Sequence, residues 1–126
     1  MRILLVDDNT LVRRAIRNVL SAQNTWEICG EASAGSEACA KVRDTRPDLI
    51  LLDKSMPGLS GLEVARLIRQ EDSTVKILIL SQEDATRMLS AALESGANGC
   101  VDKSRIPTDL IPAILKFEPH GLPGSS

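Results

Sequence analysis

Short apolar runs alternate with amphipathic stretches from the start of the chain to about residue 117. Residues 2–6 (RILLV) are almost wholly apolar and stop at Asp7-Asp8-Asn9. A continuous apolar run bounded by turn-forming residues predicts a strand buried on both faces. Residues 11–20 then place Leu11, Ala15, Ile16, Val19 and Leu20 on one helical stripe. Arg13, Arg14 and Arg17 fall on another face, expected to be solvated. A strand over 26–32 follows, then a helix over 34–45 that Pro47 ends, then a strand over 48–52 (DLILL) that Asp53 terminates. Ser60 and Glu63, three apart, have the spacing of a capping box for a helix whose apolar side is Leu62, Ala65, Leu67 and Ile68. Next come a strand over 75–80 (VKILIL), a helix from an Asp84 cap to about Ser95 closed by Gly96, and a short strand over 99–102. The last helix covers about 107–117. Pro107 suits its first turn, but Pro112 lacks the N–H of a helix interior, so this helix starts late or is kinked. Beyond Phe117, EPHGLPGSS reads as a tail or linker over 118–126.

Five strands alternating with five helices over short connections call for a parallel sheet with helices on both faces. All carboxyl ends of such strands lie on one edge, where ligands of this architecture bind. Here those ends carry Asp7-Asp8, Asp53, Ser81 and Asp102-Lys103. Carboxylates at close quarters repel, which raises at least one pKa unless a cation sits among them. An all-oxygen set suits a hard cation such as Mg2+, which takes one or two carboxylates together with waters and phosphate oxygens. Lys103 then supplies a point charge for phosphate oxygen and Ser81 a hydrogen bond. A carboxylate is also a competent nucleophile toward phosphorus, giving an acyl phosphate, and Asp53 on the central-looking strand is the best candidate. One aspartate at a strand end is commonly a turn or cap residue; the whole set is much harder to assign to turns.

Composition narrows the alternatives. The 126 residues are 43% hydrophobic and 25% charged, an ordinary balance for one globular domain. The aromatic residues are Trp26 and Phe117, there is no Tyr, and the one histidine, His120, lies in the Gly/Pro tail. These counts exclude a two-His zinc site and argue against Ser-His-Asp or Cys-His catalysis. They also leave no platform for stacking single-stranded nucleic acid. A net charge of −2 gives no overall attraction for nucleic acid or an anionic membrane. No GxGxxG or GxxxxGK[ST] run is present, and a flavin would want aromatic contacts. A small-molecule enzyme on this architecture, flavodoxin-like or an aspartyl phosphatase, is therefore the weaker reading. Cys29, Cys39 and Cys100 are odd in number and form no CxxC pair, as expected for reduced thiols in the cytosol. No signal-peptide pattern opens the chain, and no apolar run approaches the ~18 residues of a membrane span. The expectation is a cytoplasmic protein, either complete as one domain or one domain of a longer chain.

Taken together, Asp7-Asp8, the run Asp53-Lys-Ser-Met-Pro57-Gly-Leu-Ser-Gly61, Ser81 and Lys103 resemble the receiver domain of bacterial two-component response regulators, over residues 1 to about 117. LVDDNTLVRRAIRNVL, WEICGEAS, LLDKSMPGLSGLEVARLIR and ESGANG are most similar to the NarL/LuxR subfamily, whose members usually carry a helix-turn-helix DNA-binding domain after the receiver. The resemblance implies an α/β fold of flavodoxin-like type: a doubly wound five-stranded parallel sheet in order 2-1-3-4-5 with five helices. It implies that Asp53 is the phosphoacceptor, served by a phosphohistidine of a sensor histidine kinase. Asp8, Asp53 and the backbone carbonyl of Ser55 would ligate Mg2+, with Asp7 acting mainly through metal-bound water. Ser81 and Lys103 would contact the acyl phosphate. Such a domain catalyses only its own phosphorylation and dephosphorylation, by positioning and charge neutralisation. Phosphorylation adds about two negative charges. It would move Ser81 and reshape the face formed by the fourth helix, fifth strand and fifth helix, roughly 84–117, for an output partner or a second receiver in a homodimer. Direct nucleic-acid or membrane binding by this domain is not expected.

Three positions depart from the family pattern. Cys100 stands three residues before Lys103, where the family usually has Tyr or Phe as a switch. It is expected to be a small core residue in a simplified switch, with a redox sensor or an engineered substitution as the rival readings. Ser104 occupies a position where many relatives have Pro. Lys54 stands where relatives usually carry an apolar residue; a cation there would favour the ionised form of Asp53 or point to solvent, and the second is expected. A degenerate or stand-alone receiver that only binds partners is the alternative function, which Cys100 keeps open for the switching step.

Overall fold

Alternate residues of each strand feed opposite faces of a single sheet, as the two-residue repeat of a strand requires. The computed structural model describes residues 1–118. Its elements are β1 (Arg2–Val6), α1 (Thr10–Leu20), β2 (Glu27–Ala32), α2 (Gly35–Thr45), β3 (Leu49–Asp53), α3 (Gly61–Glu71), β4 (Lys76–Ser81), α4 (Ala85–Glu94), β5 (Gly99–Asp102) and α5 (Ile106–Leu115). A 3-10 turn, Lys103–Arg105, joins the last two. The strands pair in parallel in the order β2-β1-β3-β4-β5. This is the five-stranded, doubly wound arrangement that the resemblance implied.

On one face Leu4, Val6, Ile50, Leu52, Ile77 and Ile79 pack under α2, α3 and α4. On the other, Ile3, Leu5, Leu49, Leu51, Leu78 and Leu80 pack under α1 and α5. Every residue of β3 is buried. Each such Leu or Ile gives about 1.5–3 kcal/mol on burial, so the rigid centre of the molecule lies directly beneath the carboxyl ends of β1 and β3.

Short caps turn the chain back at that edge. The Asn9 side chain accepts hydrogen bonds from Leu11 and Val12 N–H at 2.9 and 3.3 Å and starts α1. Ser60 and Glu63 form the expected capping box of α3. Asp84 caps α4 by accepting from Thr86 N–H at 2.7 Å, and Gly96, at φ +97°, follows that helix. Such caps satisfy N–H groups that the first helical turn leaves without partners.

Several sequence expectations need correction. The buried stripe of α1 holds Ile16 and Leu20, flanked by half-buried Val12 and Val19, whereas Leu11 is 69% exposed and Ala15 is exposed. Leu11 is one residue out of phase, about 100° around the helix from Val12. The arginines do not form one solvated face. Arg13 donates from Nη1 to the Asp7 carbonyl at 2.5 Å and from Nε to Glu31 at 2.8 Å, Arg17 also pairs with Glu31, and Arg14 alone of the three is left exposed without an ion pair among the described residues. Burial would raise the Glu31 pKa, but Arg17 and Arg13 hold it below the usual carboxylate range. The last helix begins at Ile106, earlier than expected, and runs through Pro112. Burial of Ile106, Leu110 and Ile114 anchors it despite the hydrogen bond that Pro112 cannot make. The tail expected over 118–126 lies, apart from Glu118, outside the described residues. Among the described residues no helix is long and apolar enough to cross a membrane.

Candidate functional site

Asp7 and Asp8 follow β1, Asp53 ends β3, Ser81 ends β4, and Lys103 follows β5. The parallel register brings these ends side by side, with Asp53 opposite Leu80 and Ser81 opposite Asp102. Asp7, Asp8 and Asp53 each offer a carboxylate oxygen within 4.8 Å of the others. The Lys103 ammonium stands 2.9 Å from Asp7 Oδ2 and 2.9 Å from Asp53 Oδ1. Asp7, Asp53 and Ser81 are buried, Asp8 is exposed, and the Lys103 side chain is 13% exposed. The site is thus a floor of two buried carboxylates bridged by one ammonium, with a third carboxylate open to solvent.

Backbone donors complete one side of each buried aspartate. Asn9 N–H donates to Asp7 Oδ1 at 2.8 Å, and Ser55 N–H donates to Asp53 Oδ1 at 3.1 Å. Among the described residues the other oxygen of Asp53, Oδ2, is buried without a hydrogen-bond partner, and Asp7 Oδ2 meets only the Lys103 ammonium. A buried carboxylate oxygen left bare carries a penalty of about 1–3 kcal/mol, so its persistence points to a ligand. Burial pushes the Asp53 carboxyl above its ordinary pKa, and the Asp7 charge adds to this against the bonds from Lys103 and Ser55. Burial alone would lower Lys103, but its bonds to Asp53 and Asp7 and their charges raise it, so it stays an ammonium.

Three carboxylates around one ammonium leave negative charge uncompensated. The donors are all oxygens, one of them orphaned, which fits a hard divalent cation such as Mg2+ and not zinc. Asp53→Asn is accordingly expected to stabilise the metal-free protein at neutral pH by about 1 kcal/mol, or roughly 4 °C in Tm. Because the folded pKa of Asp53 is raised, the stability linked to it is present in acid and lost as pH rises through the folded value. The gain from Asp53→Asn should therefore fade in acid, as thermal melts at two pH values will show.

Ser81 sits at the site but makes no bond to Asp53; its Oγ accepts from the Glu83 N–H at 2.9 Å. Lys54 does not point freely to solvent, contrary to expectation: it pairs with Glu83. Glu83 was missed in the sequence, where nothing marks a residue two positions beyond a strand as the partner of one after another strand. Gly61 closes the motif that follows Asp53. A Cβ there would lie 2.2 Å from the Asp53 carbonyl oxygen, so the start of α3 touches the end of β3. Cys100 is half-buried on β5, and its thiol donates to the Ala85 carbonyl at 3.0 Å. It lines a groove of about 330 Å³ with Leu89, Ala113 and Phe117, and burial raises its thiol pKa. A raised pKa makes for an unreactive thiol, which supports the packing reading over the redox one.

Comparison with known proteins shows what the chain as a whole is similar to. The sequence model of the family described as "Response regulator receiver domain" matches residues 3–115. The "Nitrate/nitrite response regulator protein homolog" of Haemophilus influenzae is 34% identical over 117 residues, covering 93% of this chain and 56% of that protein. Response regulator UvrY of Escherichia coli is 36% identical over 114 residues, 90% of this chain and 52% of that protein. The chain thus spans about half the length of these curated relatives. A LuxR-family two-component response regulator from Aurantimonas sp. SI85-9A1 superimposes with a TM-score of 0.86 at 36% identity, over 92% of this chain and 83% of that one.

Proposed function

Because the chain belongs to the response regulator receiver family, on its NarL/LuxR branch, we infer that it is a phosphorylation switch whose acceptor is Asp53. The observation that carries this reading is the Lys103 ammonium, 2.9 Å from Asp7 and from Asp53, beside an Asp53 oxygen that has no partner. In the step, an Asp53 carboxylate oxygen attacks the phosphorus of a phosphohistidine on a sensor histidine kinase. The P–N bond breaks, the imidazole nitrogen keeps the electron pair and takes up a proton, and an acyl phosphate remains on Asp53.

Asp8, Asp53 and the Ser55 carbonyl would hold Mg2+, with Asp7 acting through its water. When bound, the cation neutralises oxygens of the transferring group. Lys103 places a fixed positive charge on the phosphoryl oxygens, and Ser81 donates its hydroxyl to one of them. The added charge, about two units, favours whichever arrangement of the loop after β4 meets it best. The face of α4, β5 and α5 then carries the change to an output, in a receiver domain covering 1–117. A Bacillus subtilis relative is named a transcriptional regulatory protein, and an output of that kind would reside in a DNA-binding domain outside this chain. Pairing of two receivers and a cytoplasmic site of action complete the proposal.

Calorimetric titration tests the reading. Wild type should bind Mg2+ at one site and then beryllofluoride, which mimics a phosphoryl group. Asp53→Asn should lose the beryllofluoride signal entirely. Binding that survives this substitution would refute the assignment.

A further inference from the structure

The residue after Asp53 and the second residue after Ser81 form an ion pair that joins the loop after β3 to the loop after β4. Both partners are tied to the site by backbone bonds. Lys54 N–H donates to the Leu80 carbonyl at 2.9 Å, and the Lys54 carbonyl accepts from Gly61 N–H at 2.7 Å, so the Lys54 backbone is fixed. Glu83 N–H donates to Ser81 Oγ at 2.9 Å. One residue therefore holds the Ser81 hydroxyl through its backbone while its side chain is anchored beside Asp53.

Ser81 is buried and turned along its own loop, and Asp53 Oδ2 has no partner. The Ser81 oxygen accepts from Glu83 N–H and its hydroxyl makes no bond to Asp53, so the turn fixes where that hydroxyl sits relative to a group on Asp53. We propose that the Lys54–Glu83 ion pair is a latch that holds Ser81 in its loop turn and so sets how readily Ser81 engages a phosphoryl group on Asp53. The proposal rests on the reading of Asp53 as phosphoacceptor. Lys54 and Glu83 are positioning residues in it, since neither acts on the transferring group itself.

The physical scale of the pair suits a trim on an equilibrium. The side chains are 28% and 56% exposed, and such part-solvated pairs contribute little individually. Release of the latch should change the apparent affinity for a phosphoryl mimic about two- to fivefold. Phosphorylation itself places negative charge next to Lys54, which weakens the hold of Glu83 on the ammonium.

The test is beryllofluoride binding in saturating Mg2+ by wild type, Lys54→Met, Glu83→Gln and the double variant. A latch predicts that both single variants bind about two- to fivefold more tightly, that the double variant gains no more than either, and that the gains vanish in a Ser81→Ala background. Opposite signs would overturn the latch: tighter binding by Glu83→Gln with weaker binding by Lys54→Met means that the charges act directly on the anion. Unchanged affinities, or gains that persist without Ser81, would overturn it as well. A wild type that binds no beryllofluoride, or an Asp53→Asn variant that binds it equally, would bring down the phosphoacceptor reading and the latch with it. Wild-type binding that needs Asp53 but ignores Lys54 and Glu83 would remove the latch alone.

Discussion

Lys103→Met is expected to destabilise the protein by about 3 kcal/mol near neutral pH, because it leaves two buried carboxylates without their shared cation. The Asp7 and Asp53 side chains are 1% and 2% exposed, and Lys103 is their common partner at 2.9 Å. Methionine keeps much of the stem and its packing, so the loss reports on charge. The pH dependence has a definite sign. Burial already holds the Asp53 pKa above its unfolded value, and removing the Lys103 bond raises it further. The folded chain then retains a proton that the unfolded chain has released, so stability is present in acid and falls as pH rises through the folded pKa. Urea unfolding at mildly acidic and at neutral pH should show a smaller deficit in acid. A deficit that grows in acid would contradict the charge balance described for the site. Mg2+ should recover part of the loss at neutral pH by binding only the folded chain.

Gly61→Ala is expected to cost about 3 kcal/mol, at the upper end of the range for overpacking. Its Cβ would meet the Asp53 carbonyl oxygen at 2.2 Å and the Lys54 Cα at 2.8 Å, which are backbone atoms with no flexible end to yield. Either α3 or the end of β3 must move, and the second carries Asp53 with it. The variant should therefore lose beryllofluoride binding along with stability. Gly58 makes the control. Its φ of +79° disfavours an L side chain, but nothing among the described residues lies within 4 Å of an added Cβ. Gly58→Ala should cost only about 1–2 kcal/mol, the penalty for a left-handed residue, and should leave binding nearly intact. Equal losses from the two substitutions would show that contact with β3 is not what makes Gly61 necessary.

Much of the site was legible because β1, β3 and β4 are short, apolar and followed at once by polar residues. A parallel sheet turns that linear pattern into one edge, which is why the sequence alone brings Asp7, Asp8, Asp53, Ser81 and Lys103 together. The capping box at Ser60 and Glu63 was equally plain, since a local hydrogen-bond exchange has a local signature. What stayed hidden depends on register and phase. The Lys54–Glu83 pair spans 29 positions and exists because β3 and β4 pair with Asp53 opposite Leu80. Arg13 looked like a solvated helix charge until β2 placed Glu31 beside it and β1 placed the Asp7 carbonyl within reach. Leu11 differs from Val12 by a single helical step, too fine a distinction for a stripe drawn from hydropathy alone. Helix α5 is set by burial of Ile106, Leu110 and Ile114, a tertiary term that overrides the local preference of Pro112.

The central claim is that Asp53 takes the phosphoryl group. Incubation with acetyl phosphate and Mg2+, followed by intact-mass measurement and peptide mapping, tests it most directly. One phosphoryl group per chain is predicted, on the peptide containing Asp53, labile to hydroxylamine as an acyl phosphate must be, and absent from Asp53→Asn and from samples without Mg2+. A phosphoryl group on another residue, or an unmodified Asp53 under these conditions, would contradict it.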